Sequence, residues 1–203
     1  MAMSLRVVVP PHPLIGHWLT VLRVLSTPPP VYKKALEELG RWLTYEALRD
    51  WLPTRKEKIK ATNIETEGTV IETEISIIAI PNLPGGLELW HGARTVLPNA
   101  DIFINDLPVK IKKQTGFIIF IDQIKEGDEL IKVIGDLQNR AVETKRIRVI
   151  TTIASSPGLK KISEKFEDLS IYCACIDEKI DADGNIIPGI GNPSLRLSTI
   201  INE

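Results

Sequence analysis

The chain has 203 residues, with 25 Lys and Arg against 26 Asp and Glu for a formal net charge of −1. At 43% hydrophobic and 25% charged it has the profile of an ordinary globular domain with at most a small appendage. The balanced charge argues against a global basic field for nucleic acid or a polybasic anchor for anionic lipid, and no apolar run reaches bilayer-spanning length.

In chain order, the opening "MAMSLRVVVPPHPLIGHWL" has a short apolar stretch broken by Pro10, Pro11 and Pro13, and no small-residue cleavage site follows. It reads as mature protein, and the location as cytoplasmic. "HPLIGHWLTVLRVL" places Leu14, Trp18, Leu22 and Leu25 at helical spacing. "TPPP" breaks that pattern and allows a second helix to start, since proline is tolerated at a first helical turn. The second helix carries Leu36, Leu39, Leu43 and Leu48 on one side and stops at Pro53, so N-terminal helices occupy 12–52. Residues 56–74, rich in Thr and β-branched side chains, predict a hairpin arm with Gly68 near its turn.

From about 75 to 177 strands and helices alternate. "ISIIAIP" is continuous enough for a strand buried on both faces. "GGLELWHGARTVL" reads as a helix and "ADIFIN" as a strand. "GFIIFI" is a strand, "GDELIKVIGDLQNRAV" a helix, "IRVITTIAS" a strand, "SPGLKKISEKF" a helix and "LSIYCACI" a strand. The pattern predicts a single α/β domain over 1–203, a parallel sheet flanked by helices. The tail, 178–203, is rich in Gly and Pro and reads as a loop that hoods the core.

Ligands of open α/β sheets sit beyond the carboxyl ends of the strands. Loops after Pro81, Asp122, Ala154 and Asp177 therefore qualify. The decisive stretch is "GFIIFIDQIKEGDEL", read as a strand over Phe117–Ile121 that ends in Asp122, with a helix from near Gly127. Such a junction can cradle a phosphate.

Other candidates are weaker. Cys173 and Cys175 alternate on one strand and read as reduced, buried thiols, and no Cys or His cluster points to a metal. His17 and His91 show no sequence-near carboxylate or thiol to form a dyad. "DADGN" lacks the closing glutamate of a calcium loop and reads as a tight turn. Trp18, Trp42, Trp51 and Trp90 are all placed on helices, where an exposed Trp51 or Trp90 would mark a partner surface.

With these segments in order, the chain resembles the uracil phosphoribosyltransferases over nearly its whole length. "HPLIGHWLTVLR" and "LGRWLTYEALRD" are similar to the family's first two helices, and "LPNADIFI" to its Leu-Pro-x-Ala segment. "IRVITTIASSPGLKKI" is similar to its strand and Ala-Pro-Glu-Gly-Leu turn. "IYCACIDEKIDADGNIIPGIGN" is similar to the closing run that ends in Pro-Gly-Leu-Gly-Asp. The resemblance implies a type I phosphoribosyltransferase-like fold with N-terminal helices and a small β arm and hood, and a homodimer. It gives His12 a structural role. It also implies pyrimidine salvage, in which uracil attacks C1 of phosphoribosyl diphosphate to give UMP and diphosphate, with Mg²⁺ at the diphosphate. No other cofactor is implied.

The ligand segments depart from the family together. Where the family reads Asp-Pro-Met-Leu-Ala-Thr-Gly-Gly-Ser, this chain reads Asp122-Gln-Ile-Lys-Glu-Gly-Asp-Glu-Leu. Asp122 matches the family's acidic position as a vestigial catalytic residue. Gln123, Lys125 and Gly127 form a degenerate phosphate loop. Glu126, Asp128 and Glu129 cap a helix favourably and repel a phosphate, at about 3 kcal/mol for like charges about 5 Å apart at an effective dielectric near 20. Lys125 offsets part of that. The family's diphosphate Arg is replaced by Pro84, and Glu88 stands at a small-residue position. The basic loop is shortened to "NDLPVKIKKQTG", in which Lys110, Lys112 and Lys113 read as a solvated edge strand. The base-reading positions match Asn185, Ile186, Gly191 and Asn192. Asn185 replaces a stacking Tyr, and Pro193 removes a donor. Arg196 and Thr199 are kept from the final family motif.

Kept scaffold and altered loops suggest a homologue without transferase activity that serves as a binding, assembly or regulatory protein, with an unidentified protein partner or a uracil-like or UMP-like ligand. The alternative is an active enzyme making UMP. A third reading, an RNA-linked regulator, has only Lys110–Lys113 and "KRIR" at Lys145–Arg148 as basic support.

Overall fold

The computed structural model describes residues 5–97, 99–104 and 107–198. Its centre is a six-stranded, wholly parallel sheet in the order β1-β8-β7-β6-β4-β5. The strands are β1 (Arg6–Val8), β4 (Ile77–Pro81), β5 (Asp101–Ile102), β6 (Gly116–Ile124), β7 (Ile147–Ser155) and β8 (Ser170–Asp177). The continuous apolar runs follow from burial on both faces. On β6, Ile118 and Phe120 join the core beneath the N-terminal helices, and Phe117, Ile119 and Ile121 join the opposite core.

Helices α1 (Pro13–Arg23), α2 (Pro29–Leu48) and α3 (Gly85–Ala93) cover the first face. Leu36, Leu39, Leu43 and Leu89 are fully buried there. Each such leucine contributes about 1.5–3 kcal/mol through burial. Helices α4 (Asp128–Gln138) and α5 (Ser156–Ser163) cover the second face through Leu130, Ile134, Leu137 and Ile162. The predicted α/β class and parallel sheet hold, and prolines stand at the first turns of α1 and α2. His12 caps α1 by accepting from the Leu14 amide at 3.2 Å and stacks on Trp42.

Several local expectations are corrected. Arg6–Val8 forms an edge strand beside β8, because three residues suffice to bond to a fully formed neighbour before Pro10 ends the run. The arm is a hairpin of β2 (Thr54–Ala61) and β3 (Ile64–Ile71), which turns at Thr62 and Asn63. Gly68 lies mid-strand opposite Glu57, and Thr62 instead takes the left-handed conformation, with φ 54°. Among its described residues "ADIFIN" yields only the two-residue β5. Lys110, Lys112 and Lys113 lie in a loop, not an edge strand: Arg140 donates to the Pro108 carbonyl and Arg146 to those of Lys112 and Thr115, so side chains replace the ladder. Trp51 sits just past α2 beneath the Arg148 guanidinium, and Trp90 is buried. The tail is not all loop: β9 (Lys179–Ile180) pairs with β10 (Ile186–Ile187), and α6 (Pro193–Arg196) follows.

Candidate functional site

A concavity of about 440 Å³ opens at the carboxyl ends of β4 and β6, where an open parallel sheet places its ligands. Its wall comes from the β4–α3 loop at Asn82–Pro84, the β6–α4 segment, the β9–β10 turn and the start of α6.

Asp122 does not end its strand, since β6 runs on to Ile124. Its carboxylate faces the start of α3, where it accepts from the backbone N–H groups of Gly85 and Gln123. Gly85 is needed there: a Cβ would fall 2.5 Å from the Asp122 carboxylate. A Cβ on Gly86 would fall 2.2 Å from the Phe120 carbonyl oxygen, so two glycines let α3 begin against β6. Burial dominates the two N–H bonds and pushes the Asp122 carboxyl up to about 6. The Asp122 carbonyl is held by the hydroxyls of Thr151 and Thr152.

The three phosphate-loop positions do line the concavity, but two serve the scaffold. Buried Gln123 donates its amide to the Gly191 carbonyl at 3.0 Å, tying the tail to β6. Lys125 reaches Asn185 Oδ1 at 3.4 Å across the mouth, and its own carbonyl accepts from the Ser155 hydroxyl. Gly127 takes φ 88° at the start of α4, and no side chain caps that helix. Asp128 turns outward to Lys161 at 2.7 Å, and Glu129 accepts from the Asn82 amide at 3.0 Å. Five carboxylates on the wall, Asp122, Glu126, Asp128, Glu129 and Asp183, face one ammonium, Lys125, so the concavity is acidic.

Of the base-reading positions, Asn192 alone is on this wall. Its side chain caps α6 by accepting from the Ser194 amide at 3.0 Å. Asn185 closes a turn around Asp181, whose carboxylate accepts from the amides of Asp183 and Asn185 at 2.9 and 2.8 Å. "DADGN" is thus the predicted tight turn. Ile186 is buried on β10 opposite Ile180, and Gly191, at φ 74°, passes 3.1 Å from Arg196 once a Cβ is imagined. Thr199 lies outside the described residues.

Two residues that the sequence singles out by position alone act as anchors, through partners it does not reveal. Arg196 stacks 4.3 Å over Tyr32 and donates to the carbonyls of Leu22, Val24 and Ile190, locking the tail to α1 and α2. Asp177 pairs with Arg23 at 2.7 Å and accepts from the Gly189 amide at 3.0 Å. Neither has a local motif, because both partners are distant in sequence. Glu88 is not on the concavity wall. It bonds His91 Nδ1 at 2.8 Å, so His91 does have a carboxylate one helical turn away, a spacing visible in the sequence and overlooked. Cys173 is buried with its thiol pushed up to about 12, while Cys175 is half-buried with Sγ 3.5 Å from Asp177.

Mg²⁺ takes oxygen ligands from carboxylates and substrate phosphates. The wall carboxylates do not converge on such a site: Asp122, Asp128 and Glu129 each answer a protein donor, and among the described residues the one triad at ligand spacing lies elsewhere.

The family model for uracil phosphoribosyltransferase matches residues 9–197. A uracil phosphoribosyltransferase of a Nostoc species is 37% identical, covering 97% of this chain and 99% of its own length. One from Nicotiana tabacum is 33% identical over 94% of this chain and 92% of its own. A solved protein from Aquifex aeolicus superposes with a TM-score of 0.82 at 26% identity, covering 97% of this chain and all of its own. The fold is the type I phosphoribosyltransferase-like fold, and the chain belongs to the uracil phosphoribosyltransferase family. Among the described residues no helix is long and apolar enough to cross a membrane.

Proposed function

We propose that this family member has lost UMP formation and acts in the cytoplasm, as a homodimer, in a binding, assembly or regulatory role. The carrying observation is the acidic wall: five carboxylates and one lysine line the place where a phosphoribosyl diphosphate would have to sit. The β6–α4 segment also offers no hydroxyl from Asp122 to Leu130. Bringing a multiply charged phosphate ester against that wall repeats the like-charge cost several times, offset by Lys125 and, at Asp128, by Lys161. Three amide side chains of the wall are committed to the scaffold: Gln123 to Gly191, Asn192 to α6 and Asn82 to Glu129. A polar or cationic group of a protein partner fits the wall better than a phosphate does. A uracil-like base without phosphate remains compatible with the room available.

The second reading is an active enzyme in pyrimidine salvage. It draws on the open concavity at the expected strand ends and on the names of the relatives. In that reading Mg²⁺ arrives with the diphosphate substrate.

The test is UMP formation from labelled uracil and phosphoribosyl diphosphate with Mg²⁺ at high protein concentration, with Asp122→Ala alongside. No turnover from the folded protein is expected. Turnover that disappears in Asp122→Ala would refute the proposal. Sedimentation at assay concentration reads the dimer.

A further inference from the structure

We propose a divalent transition-metal site, of the kind that takes Zn²⁺, between α2 and α3 at Glu37, Glu88 and His91. Ligand atoms of these three side chains lie within 4.8 Å of one another. They stand outside the wall of the acidic concavity, so the inference is independent of the function proposed above.

The two helices hold the site without help from a metal. Glycines stand at both contact points: a Cβ on Gly92 would fall 1.6 Å from the Glu37 carbonyl oxygen, and one on Gly40 would fall 2.0 Å from that of Leu89. The backbones therefore touch, and Glu37 is fixed opposite the last turns of α3. On α3, Glu88 and His91 are three residues apart and share a face. Without a metal the two share a hydrogen bond, His91 Nδ1 to Glu88 Oε2 at 2.8 Å, which holds them side by side and which an ion on Nδ1 replaces once the ring proton sits on Nε2. Tetrahedral zinc with bonds near 2.1 Å needs its ligands about 3.4 Å apart. Small torsions of the Glu37 side chain, which is 26% exposed, close the difference.

The donor set favours this class of metal. Two carboxylate oxygens and one imidazole nitrogen suit a borderline cation, whereas Mg²⁺ and Ca²⁺ prefer oxygen alone. Two carboxylates also balance the charge of one divalent ion. Three protein ligands leave a fourth position for water. The competitor for the site is Lys33, whose Nζ is 3.3 Å from Glu88 Oε1. Lys34 approaches Glu37 at 3.5 Å and is shared with Glu38 at 2.8 Å. Both lysines are about half exposed and can swing into solvent when a divalent ion replaces them.

The experiment is equilibrium dialysis of the chelator-stripped full chain against buffered free Zn²⁺, with Tm read in parallel. One zinc per chain is expected, together with a rise in Tm. His91→Ala and Glu37→Gln, both on the accessible side of the helix pair, should each weaken binding at least about tenfold, as loss of even an outer-shell partner does. Lys33→Met should tighten it, a gain that a general loss of structure would not produce. Cys175→Ser should leave it unchanged, and Co²⁺ in place of zinc should show no sulfur-to-metal charge-transfer band. Unchanged affinity in His91→Ala and Glu37→Gln, loss of binding in Cys175→Ser, or no zinc bound to the folded wild-type chain would each overturn the site.

Discussion

Asp122 offers the sharpest quantitative test of the site's electrostatics. Its carboxyl titrates at about 6 in the folded protein against 3.8 for the ordinary group. A carboxyl raised on folding makes its stabilising contribution below the unfolded value, and that contribution is lost as pH climbs through the folded value. The difference of about two units, at 1.36 kcal/mol each, corresponds to about 3 kcal/mol in all, of which about 2.4 kcal/mol is lost between pH 4 and pH 7. Asp122→Asn removes the titration and keeps one carbonyl oxygen to accept from Gly85 or Gln123. The stability of this variant minus that of the wild type should therefore rise by about 2–3 kcal/mol from pH 4 to pH 7, whatever its offset. Urea unfolding at half-unit pH steps measures this directly, and taking the difference cancels the other titrating groups. A flat difference would mean that Asp122 is well solvated, and the account of its burial against α3 would be wrong.

Three further outcomes follow from the same geometry. Gly92→Ala should cost at least about 3 kcal/mol, since its Cβ would meet the Glu37 backbone and not a yielding side chain; a Tm shift of only a degree or two would contradict the backbone contact. Arg196→Ala removes three carbonyl contacts and the Tyr32 stack, so limited proteolysis should cut within 178–198 in the variant and spare the wild type, at a stability cost of about 2–4 kcal/mol. Replacing Glu126 with Thr, Asp128 with Gly and Glu129 with Ser removes three of the five wall carboxylates. Diphosphate affinity by calorimetry should then rise at least about tenfold, and no rise would show that charge is not what excludes the anion.

The scaffold was legible because its signals are local. β4 and β7 are buried along their whole length and β6 at every position but Asp122, and only a strand covered on both faces needs so unbroken an apolar run. Periodic leucines gave α2 in the same way. The arm turns at Thr62 and Asn63 and not near Gly68, because Thr62 accepts φ 54° in a two-residue turn fixed by the ladder on either side. β1 and the β9–β10 pair were illegible: two or three residues carry no periodicity and become strands only when a neighbour supplies the bonds. The site was half legible. The acidic composition of the β6–α4 segment was plain in the residues, and so was its place at the strand ends. That Gln123 would hold Gly191, or Asn185 would serve Asp181, depends on where the tail lands, and no local pattern encodes that.

The same residues explain why scaffold and ligand loops diverge without harm to the fold. Carboxylates at the start of α4 interact favourably with the positive end of the helix, and Asp128 gains Lys161 besides. A phosphate at that position would have supplied the same stabilisation only while bound. Glu129 likewise takes the Asn82 amide, fixing the β4–α3 loop from within the protein. Gly85 and Gly86 let α3 begin against β6, and Gly127 takes the left-handed turn that starts α4, so the backbone here is set by the scaffold's own contacts. On the reading that the wall carboxylates are what exclude an anion, the triple replacement at Glu126, Asp128 and Glu129 should recover anion binding without rebuilding the chain.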